Sequence, residues 1–180
     1  SVLRTRLDGV PGHFVPRLFQ SSRGFVSTYD LGPMDGTLSN MIDFDLLNSG
    51  AVRYSLLTSD LATGEGLAFD TGKGDKIEMA HFLASCGLPP EFAPVEIEGR
   101  TLGDGGLNAN APFGLVSAEL EDGDLCIIAD NFNPLGRVPD SMERASARKS
   151  ELMFTRQTTA EIAAFRETEK LKSLIERLVH

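Results

Sequence analysis

At 180 residues the chain has room for one domain with a sizeable core. Its net charge of −9 is uneven: residues 141–180 carry +2 and the remainder −11, which argues against nucleic-acid binding and leaves no polybasic patch for an anionic membrane. No apolar run approaches the ~20 residues of a bilayer-spanning helix, and the start lacks the charged-apolar-small pattern of a secretory signal.

The chain opens on Ser1-Val2-Leu3-Arg4 without an initiator methionine, which reads as a fragment, a cleaved product or a chain whose front is not represented. Residues 1–40 are rich in Gly, Pro and Ser, with Pro11-Gly12, Pro16 and Gly32-Pro33 as punctuation, and predict an irregular, extended segment with little helix. His13 in this stretch and His180 at the far end fall in segments expected to be mobile, so neither marks a site. Asp43 to Asn48 reads as a short turn or helix end closed by Ser49-Gly50.

Val52 to Thr58 has the β-branched and aromatic bias of a strand, Thr63 to Gly66 is a turn, and Leu67-Ala68-Phe69 returns, making a hairpin. Gly72-Lys73-Gly74-Asp75-Lys76 hints at a phosphate loop but lacks the full Gly-x-x-x-x-Gly-Lys-Ser/Thr pattern, so a hairpin tip is the better reading. Ile77, Ala80, His81 and Ala84 share one face of a helix over 77–86, which makes His81 a packed core histidine. Gly87 and Pro89-Pro90 stop that helix. Val95-Glu96-Ile97 and Arg100-Thr101-Leu102 flank Glu98-Gly99 as a second tight hairpin.

Gly103-Asp104-Gly105-Gly106 follows at once. A carboxylate in such a turn can cap it, hold a cation or act as a base. Asp104 with Asn108 and Asn110 is a thin ligand set for calcium, and the EF-hand spacing is absent. Asn110 before Ala111-Pro112-Phe113 predicts an N-cap and a helix to about Ser117. Asp124 to Ala129, containing Cys126, predicts a strand covered on both faces. Cys86 and Cys126 fit no metal spacing, a reducing compartment is the default, and a disulfide between them stays open. Strands separated by helices point to α/β class. From Ser141 helix dominates, with Thr158-Thr159-Ala160-Glu161 as a capping box that restarts it, and Leu171, Leu174, Ile175 and Leu178 as an apolar stripe. That stripe packs on its own core or, alternatively, binds a partner.

Ala84-Ser85-Cys86-Gly87-Leu88-Pro89, Phe92-Ala93-Pro94-Val95, Gly99 to Gly106 and Asn110-Ala111-Pro112 come in one order within a short span. Together with Arg53 to Glu65 they resemble the acidic-residue half of patatin-like serine lipid hydrolases, over roughly residues 40–130. Residues 140–172 resemble a C-terminal extension of a bacterial subgroup. The resemblance implies a three-layer sheet-and-helix α/β fold of which this chain holds the C-terminal portion: an irregular 1–40, the α/β part in 41–135 and a helical extension in 136–180. It implies that Asp104 is half of a Ser–Asp dyad, taking a proton directly from a serine hydroxyl. The Leu102-Gly103 pair departs from the bulkier residues the family tends to carry there.

No Gly-x-Ser-x-Gly elbow and no Gly-rich oxyanion loop occur in these residues, and Ser85 lies in a packed helix end rather than an elbow. The resemblance thus implies a lipid-ester hydrolase, acting on phospholipid or related esters, whose serine lies in a missing N-terminal portion. This chain alone is expected to be inactive. No metal or organic cofactor is implied, since the dyad needs neither. The expected location is cytoplasmic, at most peripheral to a membrane through transient apolar contact. Without its first strands the sheet exposes edges, so the chain is expected to need the missing portion or self-association into a homo-oligomer. The alternative reading is a non-catalytic module of the same fold, acting as a binding or scaffold unit through its C-terminal helices.

Overall fold

The computed structural model describes residues 7–17, 27–117, 119–121 and 123–179. The readings made for residues 1–6 and 18–26 and for His180 lie outside the described residues. The chain has mixed helix and strand content and forms two compact units, residues 1–108 and 109–180.

The first unit carries two antiparallel sheets. The smaller pairs β1 (Val15–Pro16) with β2 (Tyr29–Asp30). Beside it Phe14 meets Tyr29 and Phe92 at ring separations of 4.8 and 5.5 Å, and His13 meets Phe14 edge-on at 5.2 Å and stacks on Phe92 at 6.2 Å. His13 is therefore held in an aromatic cluster, contrary to the expectation of a mobile position. The predicted lack of helix before residue 40 is also corrected. Helix α1 spans Gly32–Met41, because Gly32-Pro33 is a helix start and not a turn. Asp30 Oδ1 accepts the Gly32 N–H at 2.7 Å, and proline fills the first turn, where its missing N–H costs nothing. The short α2 (Phe44–Leu47) is capped by Asp43, which accepts the Leu46 N–H at 2.9 Å.

The larger sheet has the order β4-β3-β6-β5, all antiparallel, from β3 (Ser55–Asp60), β4 (Gly66–Asp70), β5 (Val95–Ile97) and β6 (Arg100–Asp104). Both predicted hairpins form. Asp60 shapes the first, its Oδ1 accepting the N–H groups of Ala62 at 2.9 Å and Thr63 at 3.2 Å. In the second, Glu98 and Gly99 take φ of 53° and 74°, the positive pair that a two-residue turn needs to match strand twist.

Helix α3 (Met79–Ser85) lies across β3, β6 and β5, and α1 touches α3 in turn. Ile77, Ala84, Leu56, Leu102 and Met34 form the buried apolar centre. His81 is buried among them, as its helix face predicts. Its Nδ1 accepts the Glu78 N–H at 2.9 Å, and its ring meets Phe69 edge-on at 4.4 Å. Asn48 ties α2 to Ile77, two residues before this helix: its amide donates to the Ile77 carbonyl at 2.9 Å, and its oxygen accepts the Ile77 N–H at 2.8 Å.

Asp70 at the end of β4 is 1 % exposed and accepts from Arg53 Nε at 2.8 and 3.0 Å, with a second contact from Arg53 Nη2. Its Oδ1 also caps the turn Thr71–Lys73 through the Gly72 N–H at 2.8 Å. Gly72-Lys73, predicted as a hairpin tip, lies instead in a one-turn 3-10 helix after β4 on the link to α3, and joins no two paired strands.

The second unit differs most from its sequence reading. Helix α4 is only Gly114–Ser117, and Asn110 does not cap it. The Asn110 N–H goes instead to Gln157 Oε1 at 3.1 Å, and its amide to Asp130 at 3.5 Å. Asp124 to Ala129 forms no strand and is not covered, with Leu125 83 % and Ile127 82 % exposed and Cys126 exposed beside them. A strand needs a neighbour for its amides, and no strand is found among the described residues of this unit. Cys86 and Cys126 are both free thiols. Helix α5 runs unbroken over Met142–Val179, so the predicted restart at Thr158 does not occur. Continuing a helix adds one bond per residue fixed, whereas a restart demands a new nucleus. Thr158 is buried inside the helix, its hydroxyl without a partner among the described residues. The apolar stripe from Leu171 to Leu178 is exposed and packs on no core.

Hydrogen bonding from Arg53 above all, helped by the Gly72 N–H and opposed by burial, holds the Asp70 carboxyl well below the usual range. A depressed carboxyl stabilises the fold above the unfolded-chain value and loses that contribution as pH falls toward the folded one. Asp70→Asn is expected to cost about 2–4 kcal/mol at pH 7, with the deficit shrinking below about pH 4. Urea unfolding at the two pH values checks both.

Candidate active site

Asp104 ends β6 because the chain must turn there. Its Oδ1 accepts the Gly106 N–H at 2.7 Å and opens the one-turn helix Gly105–Leu107. Its own N–H donates to the Gly87 carbonyl at 3.1 Å, just past α3. Across the sheet it pairs with Thr58 of β3. Ser59 adds a second tie, its hydroxyl donating to the Asp104 carbonyl at 2.7 Å while accepting from Asn108 Nδ2 at 2.7 Å. The Asp104 backbone is thus fixed on three sides.

Glycine makes this possible at two positions. A Cβ on Gly105 would lie 2.2 Å from the Leu57 carbonyl oxygen, well inside contact distance. A Cβ on Gly103 would lie 3.1 Å from both the Gly87 carbonyl and a methyl of Leu61. Strand β6 therefore runs too close to Gly87 for a bulky side chain at 103.

The Asp104 side chain is half-buried. Among the described residues its second oxygen, Oδ2, accepts no hydrogen bond. Burial lifts its carboxyl above the ordinary value, and the Gly106 N–H only partly offsets this. Cys86, at the C-terminal end of α3, is close enough for the two groups to interact. Desolvation first, and the Asp104 charge second, push its thiol up, although the residue as a whole is exposed. Ser85 is committed elsewhere, its hydroxyl donating to the Leu57 carbonyl at 2.8 Å. Both histidines among the described residues, His13 and His81, are engaged in the contacts given above.

The structure thus brings Asp104 together with Ser59, Asn108, Cys86 and Gly87. Of these, sequence reasoning had singled out Asp104 as the site residue and Asn108 only as a member of the thin calcium set. Ser59 carried a usable signal: it sits at the end of a β-branched run and is followed by the turn-forming Asp60. Its pairing with Asn108 had none, because 49 residues separate them. Asn110, the third member of the thin calcium set, bonds within the second unit. Among the described residues no cluster of three His, Cys, Asp or Glu side chains is placed to hold a metal ion, and no helix is long and apolar enough to cross a membrane.

Two measurements probe this geometry. A carboxyl raised by burial favours folding below its unfolded value and loses that contribution as pH rises through the folded one. Asp104→Asn keeps an acceptor for the Gly106 N–H and removes the charge. It is expected to stabilise by up to about 1 kcal/mol at pH 7 and to make no difference near pH 3. Gly105→Ala, which drives a methyl into the Leu57 carbonyl, is expected to cost more than about 2 kcal/mol in the same urea assay. Comparison of the chain with protein-family models and with curated proteins finds no match.

Proposed function

We propose that Asp104 is the general base of a Ser–Asp dyad in a patatin-like hydrolase of lipid acyl esters. The observation that carries the reading is the half-buried carboxylate whose Oδ2 has no hydrogen-bond partner among the described residues, held at a strand end with a raised pKa. Burial makes the carboxylate a stronger base than a solvated one.

The serine comes from a Gly-x-Ser-x-Gly segment outside these residues, N-terminal to them. As its Oγ attacks the ester carbonyl carbon, Asp104 takes the hydroxyl proton and passes it to the departing alcohol oxygen. Asp104 then takes a proton from water as that water attacks the acyl-enzyme, and returns it to the serine. The oxyanion donors come from the same outside segment. In this reading the sheet β4-β3-β6-β5 with α3 is part of a three-layer fold completed by further strands. The unpaired apolar run Leu125 to Ile128 supports that, since it has strand composition and no neighbour. The substrate is a phospholipid or related ester met at a membrane surface from the cytoplasmic side.

A second reading, a non-catalytic module acting through its C-terminal helix, is favoured by the exposed Leu171, Leu174, Ile175 and Leu178. A fluorophosphonate probe separates the two. The polypeptide that carries residues 1–180 together with the elbow is expected to label. Asp104→Asn is expected to abolish labelling and lower ester turnover by at least about a thousandfold while the fold is kept. Residues 1–180 alone are expected to hydrolyse no nitrophenyl ester. Turnover by that chain alone, or undiminished labelling of the variant, overturns the proposal.

A further inference from the structure

Helix α5 leaves the second unit with a formed but uncovered face. It is anchored as far as Phe165: Arg148 donates to the Asn133 carbonyl at 2.8 Å and also to the Pro134 carbonyl, and Phe154 and Phe165 meet Phe132 and Phe113 at 4.9 and 4.8 Å. From Arg166 to Leu178 every residue is exposed, including Leu171 at 59 %, Leu174 at 53 %, Ile175 at 59 % and Leu178 at 86 %. Apolar side chains in this number are not left wet on a helix without a partner.

The spacing says what kind of partner. Ala164, Thr168, Leu171, Ile175 and Leu178 recur at alternating intervals of four and three residues, which is a heptad seam with Ala164, Leu171 and Leu178 at d and Thr168 and Ile175 at a. Isoleucine at a with leucine at d favours two parallel strands. In this register Glu167 falls at g and Lys172 at e, five residues on. In a parallel, in-register pair, g of one helix faces e of the next heptad on the other, so Glu167 meets Lys172 twice across the seam. In an antiparallel pair g flanks g and e flanks e, so Glu167 and the Lys172 of the second copy lie on opposite sides of the seam and neither charge pair forms. Within the chain the same charges hold only exposed i, i+3 pairs, Lys170 to Glu167 at 2.7 Å and Lys172 to Glu169 at 2.8 Å, which are easily exchanged. Because the helix is already formed, association carries no nucleation penalty. The flanking charges are of both signs, which disfavours a membrane surface as the occupant.

We propose that residues 164–178 of α5 pair with the same residues of a second copy of this chain as a parallel, in-register two-stranded coiled coil. The 180-residue chain sediments as a dimer at roughly 0.1 mM in equilibrium centrifugation. Leu171→Asp with Ile175→Asp makes it monomeric at that concentration and leaves the melting curve unchanged at a dilution where the wild-type chain is monomeric too, since both positions are solvent-exposed in the free chain. Glu167→Lys and Lys172→Glu each weaken the dimer by roughly tenfold in Kd, and the double reversal restores it. In a Cys86→Ser, Cys126→Ser background, Thr168→Cys gives a disulfide-linked dimer on oxidation. A monomer at that concentration overturns the proposal, as does a dimer indifferent to the two aspartates. Single reversals without effect, or no crosslink at 168, overturn the parallel register. A chain that stays monomeric but floats with phosphatidylcholine–phosphatidylglycerol vesicles assigns the face to membrane instead.

Discussion

The close approach of Gly105 to the Leu57 carbonyl sets the geometry of everything at the end of β6. There the backbone of one strand meets the backbone of its neighbour with no side chain between, which only glycine permits. The contact places the turn, the turn directs the Asp104 carboxylate, and Ser59 and Asn108 fasten it from the far side of the pairing. Arg53 and Asp70 do a related job at the other end of β3, closing the hairpin with a charge pair largely withdrawn from water. Strand β3 is thus pinned at both ends by polar groups and in the middle by Leu56 and Thr58, both buried.

The first unit was legible where the signal was local. Two hairpins, a helix on one apolar face and a glycine-flanked acidic turn were all readable because each is decided by residues within a few positions of one another. Gly32-Pro33 misled because the same dipeptide that breaks a helix interior is favoured at a helix start, and only the acceptor on Asp30 distinguishes the two. The mixed helix and strand content followed from the pattern. The antiparallel order β4-β3-β6-β5 did not, because joining β3 to β6 is a pairing across more than forty residues. At the site, Asp104 was visible from its glycines, whereas the brace of Ser59 and Asn108 is a product of that same long-range pairing.

The second unit was legible only as helix. Leu125 to Ile128 has the composition of a buried strand, but composition cannot supply the neighbour a strand requires, and the run stays uncovered. Thr158 and Glu161 have the spacing of a cap, yet a cap acts only where a helix begins, and here the helix has already begun sixteen residues earlier at Met142. Both cases show tertiary context overriding a correct local signal.

The Leu57 carbonyl serves two neighbours, lying against Gly105 and accepting the Ser85 hydroxyl at the end of α3. Helix end, central strand and acidic turn therefore share one atom as a common fixed point. The carboxylate is oriented at Oδ1 by the Gly106 N–H, on a strand end that the Ser59 and Asn108 side chains brace. Gaining or losing a proton there alters the local field while leaving the surrounding framework in place, which is the condition for low reorganisation energy.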